Sequence, residues 1–456
     1  MRTNKSVLCA AAVAALSGIA SAGPLTGPTV IYSDIATSDT SLVPGMGGLR
    51  FTSFDRPYRS PNGNYWIISA LTSTGSTATD EVVLVGSGFA GQVVAQEGGA
   101  IGGRPDLIGL IDTQLSINDA GQFAFATNTD GDTAFDEIIV RGDFLAGTLT
   151  TAAQEGDIVN LSGGGTANLG ASIQLGGILA DGRVAHQSGL LNQTVGGNTG
   201  LFIAREVLQQ RSVDAPSNQA GGAMETWDFF DAGDFRINAD GSSWLAQGDL
   251  TGATTSDDVL VVNGAVVIQE GVALSGFTET VQTITEPHMD SAGNWMAHGS
   301  NVGGQDWMLY NGNLVAARGD AITGDTTEAW DDSIFAATFF WMASNSNGDY
   351  VVGGVTDSSD IDRNAVLVLN GSTVLLREGD AVDLDGNGLF DDNAFISVFN
   401  NYDGFLTDDG WLYLTADLRD GAGAALGQAF LAFQIPTPGA AGVLALAGLA
   451  GTRRRR

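Results

Sequence analysis

Residues 347–380 read Asn347-Gly348-Asp349-Tyr350-Val351-Val352, a polar acidic loop from Thr356 to Arg363, Ala365-Val366-Leu367-Val368-Leu369, Asn370-Gly371, Thr373-Val374-Leu375-Leu376-Arg377 and Glu378-Gly379-Asp380. A glycine turn leads into a first run of β-formers, and a polar hairpin leads back into a second. Asn-Gly is the strongest short signal for a two-residue hairpin, and it delivers the chain into a third run. A further apolar run before the turn, Phe335 to Met342, supplies a fourth. The stretch from Phe335 to Arg377 thus spells four short antiparallel strands.

The unit recurs. A glycine turn followed by an aromatic or branched apolar residue stands at Gly63, Gly121, Gly182, Gly241, Gly293, Gly348 and Gly410, with gaps of 58, 61, 59, 52, 55 and 62 residues. The second copy has Gln122-Phe123-Ala124-Phe125, Glu137 to Val140 and Gln154-Glu155-Gly156-Asp157. The fourth has Val259 to Val262 with Asn263-Gly264, and the fifth has Trp307 to Tyr310 with Asn311-Gly312. The third is weakest: Arg183-Val184 follows its glycine and no Glu-Gly-Asp closes it. In the fourth the aromatic slips to Trp244. Four strands in each of seven units predict an all-β chain, a seven-bladed β-propeller of four-stranded antiparallel blades. The aromatic and β-branched side chains are read as packing between blades.

The ends give a check on the ring. The seventh unit has Trp411 to Leu414 and Ala429 to Phe433, then runs into Pro436 with no return strand. Thr29-Val30-Ile31-Tyr32-Ser33-Asp34 precedes the first unit with nothing to pair with. Residues 29–34 are therefore expected to complete the last blade and remove an open sheet edge.

Outside the repeats the chain carries address signals. Arg2 and Lys5, an apolar core from Val7 to Leu16 and Ala20-Ser21-Ala22 read as a signal peptide over residues 1–22. Its core is too short to span a bilayer. The one cysteine, Cys9, lies inside it, which excludes disulfides and thiol catalysis from the mature protein. Residues 435–456 hold Pro436-Thr437-Pro438-Gly439, an apolar run from Ala440 to Ala450 and Arg453 to Arg456. This order resembles the PEP-CTERM sorting signals of Gram-negative bacteria, with Thr437 where the usual motif has glutamate. The resemblance implies an exosortase-type partner. A plain inner-membrane anchor is the other reading, and both place residues 23–434 outside the cytoplasm, at the cell surface or in the extracellular matrix.

The chain holds 52 acidic and 19 basic residues. Removing Arg2, Lys5 and the four terminal arginines leaves 13 basic residues, a mature charge near −39. Such a surface repels nucleic acid and favours divalent cations or cationic partners. The 43% hydrophobic content excludes a disordered acidic chain, and 64 glycines suit many tight turns. The repeat pattern resembles uncharacterised tandem-repeat proteins of bacterial surfaces, which implies a propeller-like surface protein and no activity. No copy has the Ser-x-Asp-x-Gly-x-Thr-Trp order of the sialidase Asp-box.

The best candidate for a site is Asp383-Leu384-Asp385-Gly386-Asn387-Gly388-Leu389-Phe390-Asp391-Asp392. Oxygen ligands at alternating positions with glycine at the sixth let one loop wrap a hard cation. Asp383, Asp385, Asn387 and Asp391 would supply side chains and Leu389 a carbonyl. The loop resembles those of EF-hand, dockerin and thrombospondin-type repeats, with Ala394 where the twelfth-position acid belongs. Ca2+ binding and a solvated acidic loop both remain open. A second stretch, Asp130, Asp132, Asp136 and Glu137, matches acids at Asp80, Glu81, Asp257, Asp258, Asp306, Asp360 and Asp362; all are read as solvating exposed hairpins. His186, His288 and His298 are read as structural, although Glu286-Pro287-His288-Met289-Asp290 with His298 has the composition of a transition-metal site. No Gly-x-Ser-x-Gly, His-Glu-x-x-His or phosphate loop is present.

The expected function is a monomeric, non-catalytic binding or structural module, Ca2+-assisted, engaging extracellular polysaccharide. The alternative is a secreted carbohydrate-active enzyme, a glycoside hydrolase or polysaccharide lyase. Buried acids with displaced pKa in the central mouth would favour the enzyme, and acids confined to outer hairpins the binder.

Overall fold

The computed structural model describes residues 27–193, 197–324, 326–333 and 337–435. Residues 1–22, where a signal peptide is expected, and the tail beyond Ile435 lie outside the described residues. Seven antiparallel sheets follow one another along the chain. No α-helix occurs among the described residues, only two short 3-10 turns, Asp39–Ser41 and Ala220–Gly222. The chain is a seven-bladed β-propeller. The sixth blade is typical, with Phe339–Ser344 innermost, then Tyr350–Val355, Ala365–Leu369 and Thr373–Arg377. Phe335, where the sequence placed the start of its inner strand, lies outside the described residues.

Each sequence signal has a mechanical role. The seven turn glycines have φ between +76° and +89°, a region closed to most side chains. Each turn joins an innermost strand to the next one. The turns bond to one another around one rim: Asn62 N donates to Asp119 at 2.8 Å, Asn118 Nδ2 to Leu179 O at 2.9 Å, Asn345 Nδ2 to Thr407 O at 3.1 Å. At Asn263-Gly264, Asn311-Gly312 and Asn370-Gly371 both residues have positive φ, the signature of the hairpin turn that matches strand twist. Each of these asparagines also accepts the N–H that opens the second strand, from Trp244, Trp295 and Tyr350 at 2.9, 2.9 and 3.0 Å.

The apolar residues form seven buried clusters, one between each pair of neighbouring blades. Trp66, Trp307 and Trp341 are fully buried there. Blade 3 departs from the pattern. It gains a hairpin of Ile158–Asn160 and Thr166–Leu169 on its second strand. After Glu206–Gln210 a long irregular segment replaces the closing motif, and its Trp227, Phe230 and Phe235 fill the core against blade 4.

Of the acids of the hairpins between second and third strands, Asp130, Asp132, Asp360 and Asp362 are exposed as expected, whereas three others correct the reading given to them. Glu81 is buried, and its carboxylate accepts the N–H of Ile111 in the next blade at 3.1 Å. Glu137 does the same for Ile173 at 3.0 Å, and Asp306 for Thr338 at 2.8 Å while pairing with Arg318. These carboxylates tie blade to blade. Burial pushes Glu81 up to about 7, with the Asp55 and Glu97 charges adding to the rise. Burial likewise pushes Asp258 up to about 7, beside Asp231.

The ring closes as the chain ends require. Thr29–Ser33 pairs antiparallel with Ala425–Gln434, Thr29 opposite Ala432 and Ser33 opposite Ala429. Val30 enters the core between blades 6 and 7, and Ile31 and Tyr32 the core between blades 7 and 1. Deleting residues 23–34 is expected to lower the melting temperature by more than 10 °C, since three buried apolar side chains at about 1.5–3 kcal/mol each are lost. Calorimetry and gel filtration check this, and an unchanged monomeric melt refutes it. Because the folded state raises the Glu81 and Asp258 values, their contribution is complete below their ordinary range and lost as pH climbs towards 7. The melting temperature should fall between pH 5 and 8, and Glu81→Gln should flatten that slope.

Candidate functional site

All seven inner strands run in one direction, away from the interblade loops and towards the glycine-turn rim. They enclose a channel of three successive chambers. The uppermost, a vestibule of about 300 Å³, is lined by Asp55, Arg56, Gln114, Asp234, Glu286 and Asp403 among others. A middle chamber of about 130 Å³ takes residues from every blade, including Leu175, Ile237, His288, Met342 and Tyr402. A lower chamber of about 100 Å³ lies against the turns, with Arg59, Asn118, Asp119 and Asp290.

Arg56 divides vestibule from middle chamber. Its Nη2 lies 2.8 Å from Glu286 of blade 5, its Nε 3.6 Å from Asp403 of blade 7, and its guanidinium carbon 5.8 Å from the Tyr402 ring. One guanidinium on blade 1 therefore reaches across the channel. Irregular backbone aims these groups. The inner strand Val281–Met289 breaks register between Thr285 and His288, and Phe395–Leu406 between Phe399 and Gly404. Glu286 and Tyr402 sit in those bulges with φ of +29° and +60°. Positive φ at a residue before proline and at an aromatic is strained, and such strain is concentrated where side chains must be placed for use.

Three vestibule carboxyls, Asp55, Asp234 and Asp403, are displaced from their ordinary values. Burial raises Asp55, Asp234 and Asp403, opposed at Asp55 by the Ser69 hydroxyl at 2.7 Å and at Asp403 by Arg56. Burial beside Glu286 pushes the Tyr402 phenol up to about 12. Burial holds all three histidines down at about 4, so they are neutral at pH 7. Each has a protein partner: His186 meets Ser188 and Ala204, His288 Nε2 accepts the Ser344 N–H at 3.2 Å, and His298 Nε2 lies 2.7 Å from the Tyr402 hydroxyl. Their structural reading agrees with these contacts.

The loop at 383–392 lies apart from the channel. Asp383, Asp385 and Asp392 each place a ligand oxygen within 4.8 Å of the others, an arrangement that could hold a metal ion. Asp391 is exposed and outside that group; Asp392 stands in its place. Asp383 is buried and accepts the N–H groups of Gly386, Asn387 and Gly388 at 2.8, 3.1 and 3.0 Å. Asn387 Oδ1 is turned to the Leu389 N–H at 2.7 Å. Asp383 also bonds through its backbone to Pro28 and Val30, so the loop clips the closing strand.

Sequence reasoning missed the channel set. Its members are dispersed over five blades, and the strand register breaks where Gln114, Glu286 and Asp403 sit. One signal was available: Arg56, Arg59 and Arg236 are three of only 13 arginines between the two ends; Arg59 and Arg236 fall on inner strands, and Arg56 on the link between Phe51–Phe54 and Tyr58–Arg59.

Residues 33–178 match a family of unknown function, DUF7453. No curated protein matches the chain. Among solved structures the chain is similar to an oligogalacturonate lyase from Vibrio parahaemolyticus, at 11% identity over 87% of this chain and 96% of that one, TM-score 0.45. It is similar to an oligogalacturonate lyase in complex with manganese, at 12% identity over 85% and 96%, TM-score 0.41. The β-propeller domain of the Trilobed protease from Pyrococcus furiosus aligns at 9% identity over 85% and 96%, TM-score 0.40. These likenesses concern the fold.

Replacing Arg56 by Met leaves Glu286 and Asp403 facing each other without their cation. The expected loss is about 1–2 kcal/mol at pH 8, discounted for their partial exposure. It should shrink at pH 5, where protonation relieves the repulsion, and a pH-independent loss in urea denaturation contradicts the arrangement.

Proposed function

We propose that this chain is an exported, surface-held β-propeller that binds a carbohydrate in its central channel. The vestibule supports this reading most directly: four carboxylates and two guanidiniums from blades 1, 4, 5 and 7 surround one cavity of about 300 Å³. Carboxylates and guanidiniums are the groups that hydrogen-bond adjacent hydroxyls in pairs. The apolar wall of the middle chamber suits the C–H face of a sugar ring. The last described residue, Ile435, bonds to Gly410 on the glycine-turn rim. A sorting signal or anchor in the tail that follows would hold that rim inward and the vestibule outward.

A second reading, hydrolysis of the bound saccharide, is favoured by the raised carboxyls in the mouth, the feature expected of an enzyme rather than a binder. Glycoside hydrolysis needs one carboxyl that keeps its proton and one carboxylate. Asp234, raised by burial and lying close to Glu286, takes the first role. Glu286, paired to Arg56, takes the second. Calcium belongs to the same proposal as a clip at Asp383, Asp385 and Asp392, steadying the closing strand rather than touching the ligand.

Co-sedimentation with the host's extracellular polysaccharide, together with release of reducing ends, tests both readings. Binding should fall at least tenfold in Glu286→Gln, and any release should vanish in Asp234→Asn with binding retained. Association unaffected by both variants refutes the channel site, and binding without release assigns the chain to the non-catalytic class. Millimolar Ca2+ should raise the melting temperature by several degrees relative to chelator, as expected for a ligand that binds the folded state alone. Asp383→Ala should abolish that rise.

A further inference from the structure

We infer that the lower chamber, at the glycine-turn end of the channel, is a binding site for a small monoanion held by Arg59. Arg59 ends the inner strand Tyr58–Arg59 and is 5% exposed. Its guanidinium carbon lies 3.7 Å from the centre of the Tyr413 ring, which covers one face. The Nε and Nη1 donors are buried and have no hydrogen-bond partner among the described residues. None of the ion pairs among those residues includes Arg59. Eight of the other arginines are paired, so a chain with 52 acids has left this cation without one.

A buried guanidinium with no carboxylate at ion-pair distance is expensive unless something beside it replaces its lost hydration. The chamber beside it holds about 100 Å³, room for a few waters or one ion of halide or carboxylate size. Its two acids are already engaged. Asp119 accepts the Asn62 N–H at 2.8 Å, and Asp290 accepts Ala292 and Asn294 N–H groups at 2.9 Å and the Ser344 hydroxyl at 3.2 Å. Burial also raises both carboxyls, which weakens their repulsion of an anion. Burial lowers the Arg59 value while Tyr413 and Asp409 support it, and an anion in the chamber would support it further. Ser116 lines the same space; its hydroxyl accepts the Ile178 N–H at 3.0 Å and keeps its own proton to donate. The site is separate from the vestibule and does not depend on what binds there.

Crystals of the mature protein soaked in sodium bromide give the direct test. An anomalous peak in the chamber against Arg59 is expected, and a chamber holding only water at molar bromide overturns the inference. In solution, bromide or acetate exchanged for fluoride at constant ionic strength should raise the melting temperature by several degrees. A free-anion site responds to bromide and acetate alike; response to acetate alone assigns it to carboxylates, including one carried by a larger ligand. The response should be lost in Arg59→Gln and partly kept in Arg59→Lys. If Arg59→Gln does not fold, the bromide map of the wild type and the Arg59→Lys melt still decide, and equal melts in all three anions refute the site.

Discussion

Covering both faces of every blade is the constraint on which this molecule rests. A four-stranded blade is a thin sheet with apolar residues on each side and no core of its own, so it is stable only between two neighbours. In an open row the first and last blades would each leave one face bare. The closing strand Thr29–Ser33 solves this twice over. It adds the missing edge to blade 7 and feeds side chains into the cores on both sides of it. The last blade therefore exists only when chain segments some 400 residues apart have met, so its formation carries a loop-closure cost that every other blade avoids.

Ring closure also dictates what the middle of the molecule is like. Seven inner strands pointing the same way cannot pack into a filled centre, so a channel remains. Its two ends are chemically distinct because they are made of different loops. At the turn end, short Asn, Asp and Gly turns bond around the rim and leave little freedom for specialisation. At the other end the inner strands begin in longer loops and bulge, and that is where Glu286, Tyr402 and Asp403 are found. Bulges shift alternate side chains off the regular inward and outward pattern, which is how charged groups reach the axis without disturbing the interblade cores.

The same division explains what could be read from the sequence. Glycine turns, Asn-Gly hairpins and the unpaired Thr29–Ser33 strand are local devices with fixed chemistry, so the blade count and the closure follow from single residues and their spacing. Third strands such as Ala365–Leu369, buried on both faces, announce themselves by composition. Inner strands do not. Asp55, Asp234, Glu286 and Asp403 occupy irregular segments of different units, and nothing in any one unit marks them as partners. In the loop at 383–392 the spacing pointed to Asp391, yet backbone bonds from Leu384 and Asp385 fold Asp392 inward instead. Glu81, Glu137 and Asp306 were misread for a related reason. A carboxylate in a polar hairpin looks solvated until the backbone of the next blade is brought against it.

Charge placement ties these levels together. With four acids for every arginine between its ends, the protein has few cations, and two of them act structurally: Arg318 pairs with Asp306 across one hairpin, and Arg377 reaches Glu328 about 50 residues away. Arg56, Arg59 and Arg236 are the exceptions. All three line the channel. A surface this acidic raises the local potential against anions everywhere except along the axis, where buried carboxyls shift towards their neutral forms and guanidiniums remain charged. The channel is thus the one place where the sign of the field is locally set by placement rather than by the net charge of the chain. An anion is repelled by the acidic outer wall, and the guanidiniums buried along the axis offset that repulsion locally.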